Sequence, residues 1–379
     1  MSYESTEEQQ LVRASVREFC EKYVDPIAEE VDEQSRFPAE NIKRIAEQDW
    51  FGIPYPVEYG GAGSDLLTCV IVIEELSRSC ASTGVILAGH TLLACFPLFK
   101  YGTEEQKQRW LAPLCRGEIL GSFALTEPGA GTDVGAIGTT AVADGDGYVL
   151  NGTKTFITSA PVAGAFIVLA STDRAKGARG LSAFVVPAGT PGIRAGEHLD
   201  KMGIRAALTS EVVIKDCRIP KANLLGEEGM GFKIAMTTLD GGRISIAAQA
   251  LGIAQAALDE SIDYAKERVQ FGKPIGSFQG VQWMISDMAV DVAAARHLTY
   301  QAAWCYDQGL PYATEAAMAK LFASEAAVRD SSRAIQIHGG IGFIKGHKVE
   351  RLYRDAKATE IYEGTSEVMR MVIAGNLLR

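Results

Sequence analysis

A carboxyl group suits proton transfer near neutral pH when its pKa is displaced upward, and Tyr362-Glu363-Gly364-Thr365-Ser366-Glu367 offers a candidate. Burial of Glu363 between an aromatic ring and a Gly-Thr turn would raise its pKa and sharpen it as a base. Taken alone, a loop carboxylate is more often solvated. Other segments carry the features of a ligand cradle. In SFALTEPGAGTDVGA, residues 122–136, Thr126 and Thr132 offer hydroxyls, and glycines such as Gly131 let the backbone approach a flat ligand. In TKTFITSA, residues 153–160, period-two alternation puts Phe156 and Thr158 on one side of a strand, a ring and a hydroxyl for a heteroaromatic partner. Arg268 suits a diphosphate, with Phe271 and Gln279 close behind it in ERVQFGKPIGSFQ. In QIHGGIGF the glycines 339 and 340 expose backbone N–H groups that suit the same anion.

Several chemistries are disfavoured. GAGTDVG lacks the third glycine of the dinucleotide fingerprint, and no G-x-x-x-x-G-K-[ST] occurs. The five histidines are far apart and none has metal-ligand spacing, so no metal site is expected. Thirty-seven basic against 47 acidic residues give a formal charge of −10, with no basic stripe, which argues against nucleic acid. Seven dispersed cysteines without C-x-x-C read as small buried hydrophobes in a reducing compartment. The polar, acidic start MSYESTEEQQ is unlike an export signal, and no uninterrupted apolar run approaches a membrane span. A cytoplasmic location is expected.

The elements that must position these residues fall into three blocks. Residues 1–120 read as helices separated by turns, with two buried helices expected in TCVIVIEELSRSCASTGVILAGHTLLACF and Thr103 as a helix cap. Residues 121–230 are short β-branched runs, and the Asn-Gly of GYVLNGTKTFITSA predicts a hairpin. Residues 231–379 are helical again, with bundle-length helices such as VQWMISDMAVDVAAARHLTYQAAW.

Taken together, ALTEPGAGTD, NGTKTFITSA, DKMGIRA, GRISIAAQALGIAQAALD, R-x-x-FGKPI, QIHGGIGF and YEGTSE resemble the acyl-CoA dehydrogenase family, in its order and over nearly the whole chain. The resemblance implies an α+β fold: an N-terminal helical domain, a β-barrel-like middle domain and a C-terminal four-helix bundle. It implies FAD between the β domain and the bundle, and a homotetramer built as a dimer of dimers. Glu363 would remove the α-proton while a β-hydride goes to flavin N5, giving a trans-2-enoyl-CoA. Its own amide, with the ribityl 2'-hydroxyl, would hold the thioester oxygen. Leu125, Thr126, Gly131 and Thr132 would meet the flavin and phosphates, Phe156 would flank the ring, and Thr158 would bond near N5. Arg268 and Phe271 would reach across the dimer to the FAD diphosphate and adenine, with Gln279 as a cofactor contact in the same region. Gln336, Gly339 and Gly340 would form a backbone cradle, with Thr365 and Glu367 as contacts just after the base. Arg243 takes a supporting role, ordering the region of the base. Electrons would leave to an electron-transfer flavoprotein.

The substrate reading is finer. LDGGRIS places Gly242 where isovaleryl-type and long-chain members carry their base, which weakens both of those classes. The slot's far end is expected in residues 84–97, with Gly89, Thr91 and Ala94 leaving neutral space, and with Tyr362 and Gly364 flanking the base. No charge there invites a dicarboxylic acyl group. A short straight acyl chain such as butyryl is the first expectation. A branched or alicyclic group such as cyclohexanecarboxyl is the alternative, and a non-catalytic binding protein on the same scaffold is a remote one.

Overall fold

Helix starts require side chains that satisfy the free N–H groups of a first turn. In the computed structural model, which describes residues 6–378, Thr6 accepts from Gln9 N at 3.1 Å and Gln9 Oε1 accepts from Thr6 N. Thr103 and Gln106 repeat the pattern, so Thr103 is the expected cap. The first block comprises α1 (Glu7–Phe19), α2 (Asp25–Glu33), α3 (Ala39–Glu47), α4 (Leu66–Ser79), α5 (Ala81–Gly89), α6 (Phe96–Tyr101), α7 (Glu104–Gln106) and α8 (Ala112–Cys115). The apolar stretch after Asp65 forms the two expected helices, separated at Cys80, whose backbone is extended. Gly84 is a packing residue inside α5: a Cβ there would lie 2.0 Å from Ser77 Oγ.

From Ala81 the chain runs through a π-helical turn, His90–Cys95, into α6 as one rod ending at Tyr101. Against expectation, this rod is long and apolar enough to cross a membrane, with a window of mean hydropathy 1.5. It is 83 % buried over that window, so its apolar surface faces the protein's own core. All seven cysteines are buried and unbridged.

The middle block holds β1 (Leu120–Ala124), β2 (Thr140–Asp144), β3 (Gly147–Thr158), β4 (Ala163–Ser171), β5 (Leu181–Pro187), β6 (Ile193–Ala195), β7 (Thr209–Pro220) and β8 (Leu224–Leu225). The barrel-like expectation is corrected: the sheet is open. Its order is β6-β7-β3-β2-β4-β5-β8, with β1 paired to β4, and the edge strands β6 and β8 do not pair with each other. Its two halves meet at a single residue pair, Thr140 with Ser171. They face one another across a shared core that includes Leu150, Val212, Phe166 and Phe184. Alternate residues of β4 and β5, Ile167, Leu169, Ala183 and Val185, point the other way and pack with Ile234 and Ala235.

The Asn-Gly hairpin is also corrected. β3 runs unbroken through Asn151-Gly152, with a register shift against β7. Asn151 Oδ1 accepts from Asp216 N at 2.8 Å, and a Cβ on Gly152 would lie 2.2 Å from Thr139 Oγ1. The turn falls earlier, at Gly145-Asp146 between β2 and β3.

The last block is α9 (Gly231–Glu267), the two-stranded β9 (Val269–Gln270) and β10 (Lys273–Pro274), α10 (Gln279–Asp307), α11 (Ala313–His338), α12 (Lys348–Thr359) and α13 (Ser366–Leu377). Small residues bring α9 close to its neighbours. A Cβ on Gly252 would sit 2.3 Å from the α4 carbonyl of Glu74.

Candidate functional site

Glu363 lies in the turn between α12 and α13. Thr365 caps α13 by accepting from Val368 N at 3.3 Å, and Ser366 N donates to Glu360 O at 3.0 Å. Between these ties, Glu363 and Gly364 are both left-handed, with φ of 53° and 102°. For a non-glycine residue that conformation costs about 1–3 kcal/mol and persists only where the surroundings hold it. Three contacts do so. Lys320 of α11, fully buried, donates from Nζ to Gly364 O at 2.6 Å. The Tyr362 hydroxyl donates to Gln249 Oε1 on α9, and Gln249 Nε2 donates to Ala81 O at 3.0 Å.

The carboxylate itself points at α9. Glu363 Oε2 is buried without a hydrogen-bond partner. It lies over Gly242, where a Cβ would stand 2.1 Å from it and 2.7 Å from Leu93 Cδ2. Desolvation pushes the Glu363 carboxyl up to about 7, although Lys320 and Arg243 pull it back. Arg243 is nearly buried, donates to Asp240 Oδ1 at 2.6 Å and leaves its Nε buried without a partner. Burial draws its guanidinium below the ordinary arginine value. A carboxyl titrating near neutrality in an apolar setting can exchange protons with a weak carbon acid.

The candidate flavin segments are gathered by hydrogen bonds. Lys154, fully buried on β3, donates to Leu125 O at 3.0 Å and to Glu127 Oε1 at 2.8 Å. Glu127 also accepts from Gly138 N and Thr139 N, which anchors the loop carrying Gly131 and Thr132. Thr155 N donates to Thr126 O at 2.9 Å, and Ser122 Oγ to Thr158 O at 2.8 Å. A bulge in β3 turns Phe156 outward at φ 58°, leaving it 67 % exposed, while Thr158 is half-buried. β1 ties this group to the carboxylate's surroundings, since a Cβ on Gly121 would lie 2.5 Å from Ala94 Cβ.

Arg268 and Phe271 lie elsewhere, on the hairpin that follows α9. Phe271 and Gly272 both have positive φ, a two-residue turn that holds Phe271 out at 94 % exposure. Gln279 opens α10 and is exposed. Tyr264 stacks on His338 with ring centres 4.2 Å apart, so exposed Gln336, Gly339 and Gly340 share this end of the bundle. Glu367 is exposed in the first turn of α13.

The expected acyl-slot residues divide. Gly89 is open, with nothing near its missing Cβ. Thr91 is fully buried and donates to Phe51 O at 3.0 Å, and Ala94 packs on β1. From this segment it is Leu93, half-buried, whose Cδ2 borders with Glu363 Oε2 the space over Gly242. Leu93, Gln249 and Lys320 are site residues that sequence reasoning does not single out.

Comparison with known proteins places this arrangement. Family descriptions for the acyl-CoA dehydrogenase N-terminal, middle and C-terminal domains match residues 6–118, 122–217 and 229–378. The chain belongs to the acyl-CoA dehydrogenase family. The short-chain-specific acyl-CoA dehydrogenase of Clostridium acetobutylicum is 52 % identical over 379 residues, covering all of both chains. The butyryl-CoA dehydrogenase of Megasphaera elsdenii superposes with a TM-score of 0.98 at 44 % identity, again over both whole chains. A chain solved in work on the electron transferring flavoprotein of Acidaminococcus fermentans and flavin-based electron bifurcation gives 0.99 at 48 %, with the same full coverage.

Proposed function

We propose that this acyl-CoA dehydrogenase oxidises a short, straight-chain acyl-CoA such as butyryl-CoA, with Glu363 as the α-proton acceptor. The enzyme is an FAD-dependent oxidoreductase acting on CH–CH bonds; it forms an enoyl-CoA and passes electrons toward an electron-transfer flavoprotein. The observation that carries the assignment of the base is the buried, unpartnered Oε2 of Glu363 above Gly242. The residues present fit FAD. Gly129, Gly131, Gly339 and Gly340 have open space where a Cβ would stand, and Phe156 and Phe271 are held outward at positive φ. When bound, FAD supplies the acceptor for the β-hydride. Leu125, Thr126, Gly131, Thr132, Phe156 and Thr158 would hold its flavin end, and Thr365 and Glu367 the approach beside the base.

Glu363 takes the α-proton because its carboxylate is poorly solvated, and because its strained backbone fixes where Oε2 points. Arg243 stabilises the ionised form without a direct ion pair to it. The Leu93 side chain and Gly242 keep water from the carboxylate and leave a neutral space suited to a few methylenes. Small differences in chain length are worth only about 1–3 kcal/mol there. An anaerobic titration with butyryl-, isobutyryl-, hexanoyl-, glutaryl- and cyclohexanecarboxyl-CoA tests the substrate. Rapid flavin bleaching by butyryl-CoA is the expected result. Bleaching by cyclohexanecarboxyl-CoA but not butyryl-CoA would transfer the assignment to an alicyclic substrate.

The base must be ionised to act, so kcat/KM should climb with pH through about 7 and fall away below it. A profile flat from the ordinary carboxylate range upward would remove Glu363 from this role.

The working form is a dimer of dimers, and the three blocks 1–120, 121–230 and 231–379 are its domains. Arg268 caps α9 about 39 Å along the helix axis from Gly242, at 1.5 Å per residue. An FAD beside Thr158 and Glu363 therefore meets the Arg268 and Phe271 of a second copy. The exposed Val269, Phe271, Trp283 and Phe343 at this end of the bundle favour such a contact. Arg268→Ala is expected to weaken FAD retention by about 1.5–3 kcal/mol, the value of a charged hydrogen bond. FAD-to-protein ratio after dialysis, read with oligomer mass, checks it.

A further inference from the structure

Lys320 lacks the ionic partner that its burial calls for among the described residues. It is fully buried in α11 among Ala316, Ala317, Ala319 and Ala323, all fully buried too. An ammonium in such a place normally demands a carboxylate partner. The chain's other fully buried lysine, Lys154, has one in Glu127 at 2.8 Å. Lys320 makes no ion pair among the described residues; its hydrogen bond goes to the backbone carbonyl of Gly364. That carbonyl closes the two-residue left-handed turn on which Glu363 stands. The turn is crowded behind, where a Cβ on Gly364 would lie 2.6 Å from Met369 Cε.

We propose that Lys320 is the positioning residue of the proton-accepting carboxylate: its ammonium pins the Gly364 carbonyl, locks the turn that aims Glu363, and supplies the positive charge against which that carboxylate ionises. The inference rests on Glu363 being the base. The charged groups facing Lys320 are Glu363 and Glu360 from the turn, Glu367 from α13 and Arg243 from α9. Burial lowers the lysine to about 8 while Glu363 holds it up, and Lys320 in turn lowers Glu363. The two groups are therefore linked. Removing the charge should raise the pH at which the base ionises, and removing the donor should loosen its aim.

Two substitutions separate these effects in the holoenzyme. Lys320→Met keeps length but removes donor and charge; Lys320→Gln keeps a neutral donor. Anaerobic flavin reduction by butyryl-CoA is followed across pH, with FAD-to-protein ratio and Tm recorded for each variant. Lys320→Met should slow reduction about 10²-fold with FAD retained, the scale of a misplaced catalytic group. Its acid-limb midpoint should move up by about one pH unit, the effect of losing a nearby opposite charge. Lys320→Gln should recover rate to within about tenfold of wild type while sharing that shift. An unshifted midpoint and wild-type rate in Lys320→Met, with Glu363→Gln inactive, would overturn the role of Lys320 and leave the base standing. Slow reduction with an unshifted midpoint and lost FAD would mean a purely structural lysine and would equally overturn it. Should Lys320→Met not fold, an unshifted midpoint in Lys320→Gln overturns the proposal by itself. Full activity in Glu363→Gln would instead reject the base, a result distinguishable from all of these.

Discussion

Glu363→Gln is expected to abolish substrate-dependent flavin bleaching, by about 10²–10⁴-fold in the rate of reduction, with FAD still bound. Glutamine keeps the shape and the left-handed turn but cannot accept the α-proton. The flavin segments are anchored through Lys154 and Glu127, away from the substituted side chain, so cofactor content should not move. Stability gives a second reading with a definite sign. The carboxyl is raised from an ordinary 4.5 to about 7 in the fold, so it is protonated there at pH values where the unfolded chain has already ionised. Stability is therefore lost as pH rises from about 4.5 to about 7, and the full cost of holding the carboxylate is present above that. Glu363→Gln should remove this cost and raise Tm more at pH 8 than at pH 5. Undiminished bleaching would show that this carboxylate is not the base, and a Tm that falls at high pH would show that holding it ionised carries no such cost.

Much of this site is legible in the sequence because its residues announce themselves locally. A glutamate between an aromatic and a Gly-Thr pair, and an arginine before a Gly-Lys-Pro turn, need no tertiary knowledge to attract notice. Helix caps such as Thr103 are likewise local. What escapes is set by long-range packing. Asn151-Gly152 carries the strongest hairpin signature, yet Asp216 and Thr139 claim its side-chain bond and its missing Cβ, so the strand continues. The resemblance places the slot's far end in residues 84–97, where Thr91 and Ala94 are small and neutral. The π-turn His90–Cys95 inserts a wider turn there, and it is Leu93 that reaches the space over Gly242 beside Glu363 Oε2. Lys320 lies in an alanine-rich helix where a lysine ordinarily reaches solvent, and only the crossing of α11 behind the turn reveals its acceptor. Closure of the sheet depends on whether β6 and β8 pair, which no strand pattern encodes.

Gly242 carries the sharpest of the long-range effects, and its substitution should separate activity from stability. In sequence the residue reads only as a missing carboxylate; in the fold it is the floor beneath Glu363. Alanine at 242 would place Cβ 2.1 Å from Oε2 and 2.7 Å from Leu93 Cδ2. Both are far ends of flexible side chains, so the helix itself need not move. The site relaxes by displacing the carboxylate, and a misplacement of about 1 Å can cost about 10²-fold in rate. In the middle of a 37-residue helix the same change removes glycine's propensity penalty, about 1 kcal/mol in favour of folding. Gly242→Ala is therefore expected to lose about 10²-fold in flavin reduction while its Tm holds or rises and its FAD content stays at wild type. Stopped-flow reduction by butyryl-CoA, paired with a thermal melt of the same holoenzyme, decides the matter. Equal losses in both would mean the helix had shifted, whereas a fall in rate alone means that Gly242 is glycine because the base needs the space.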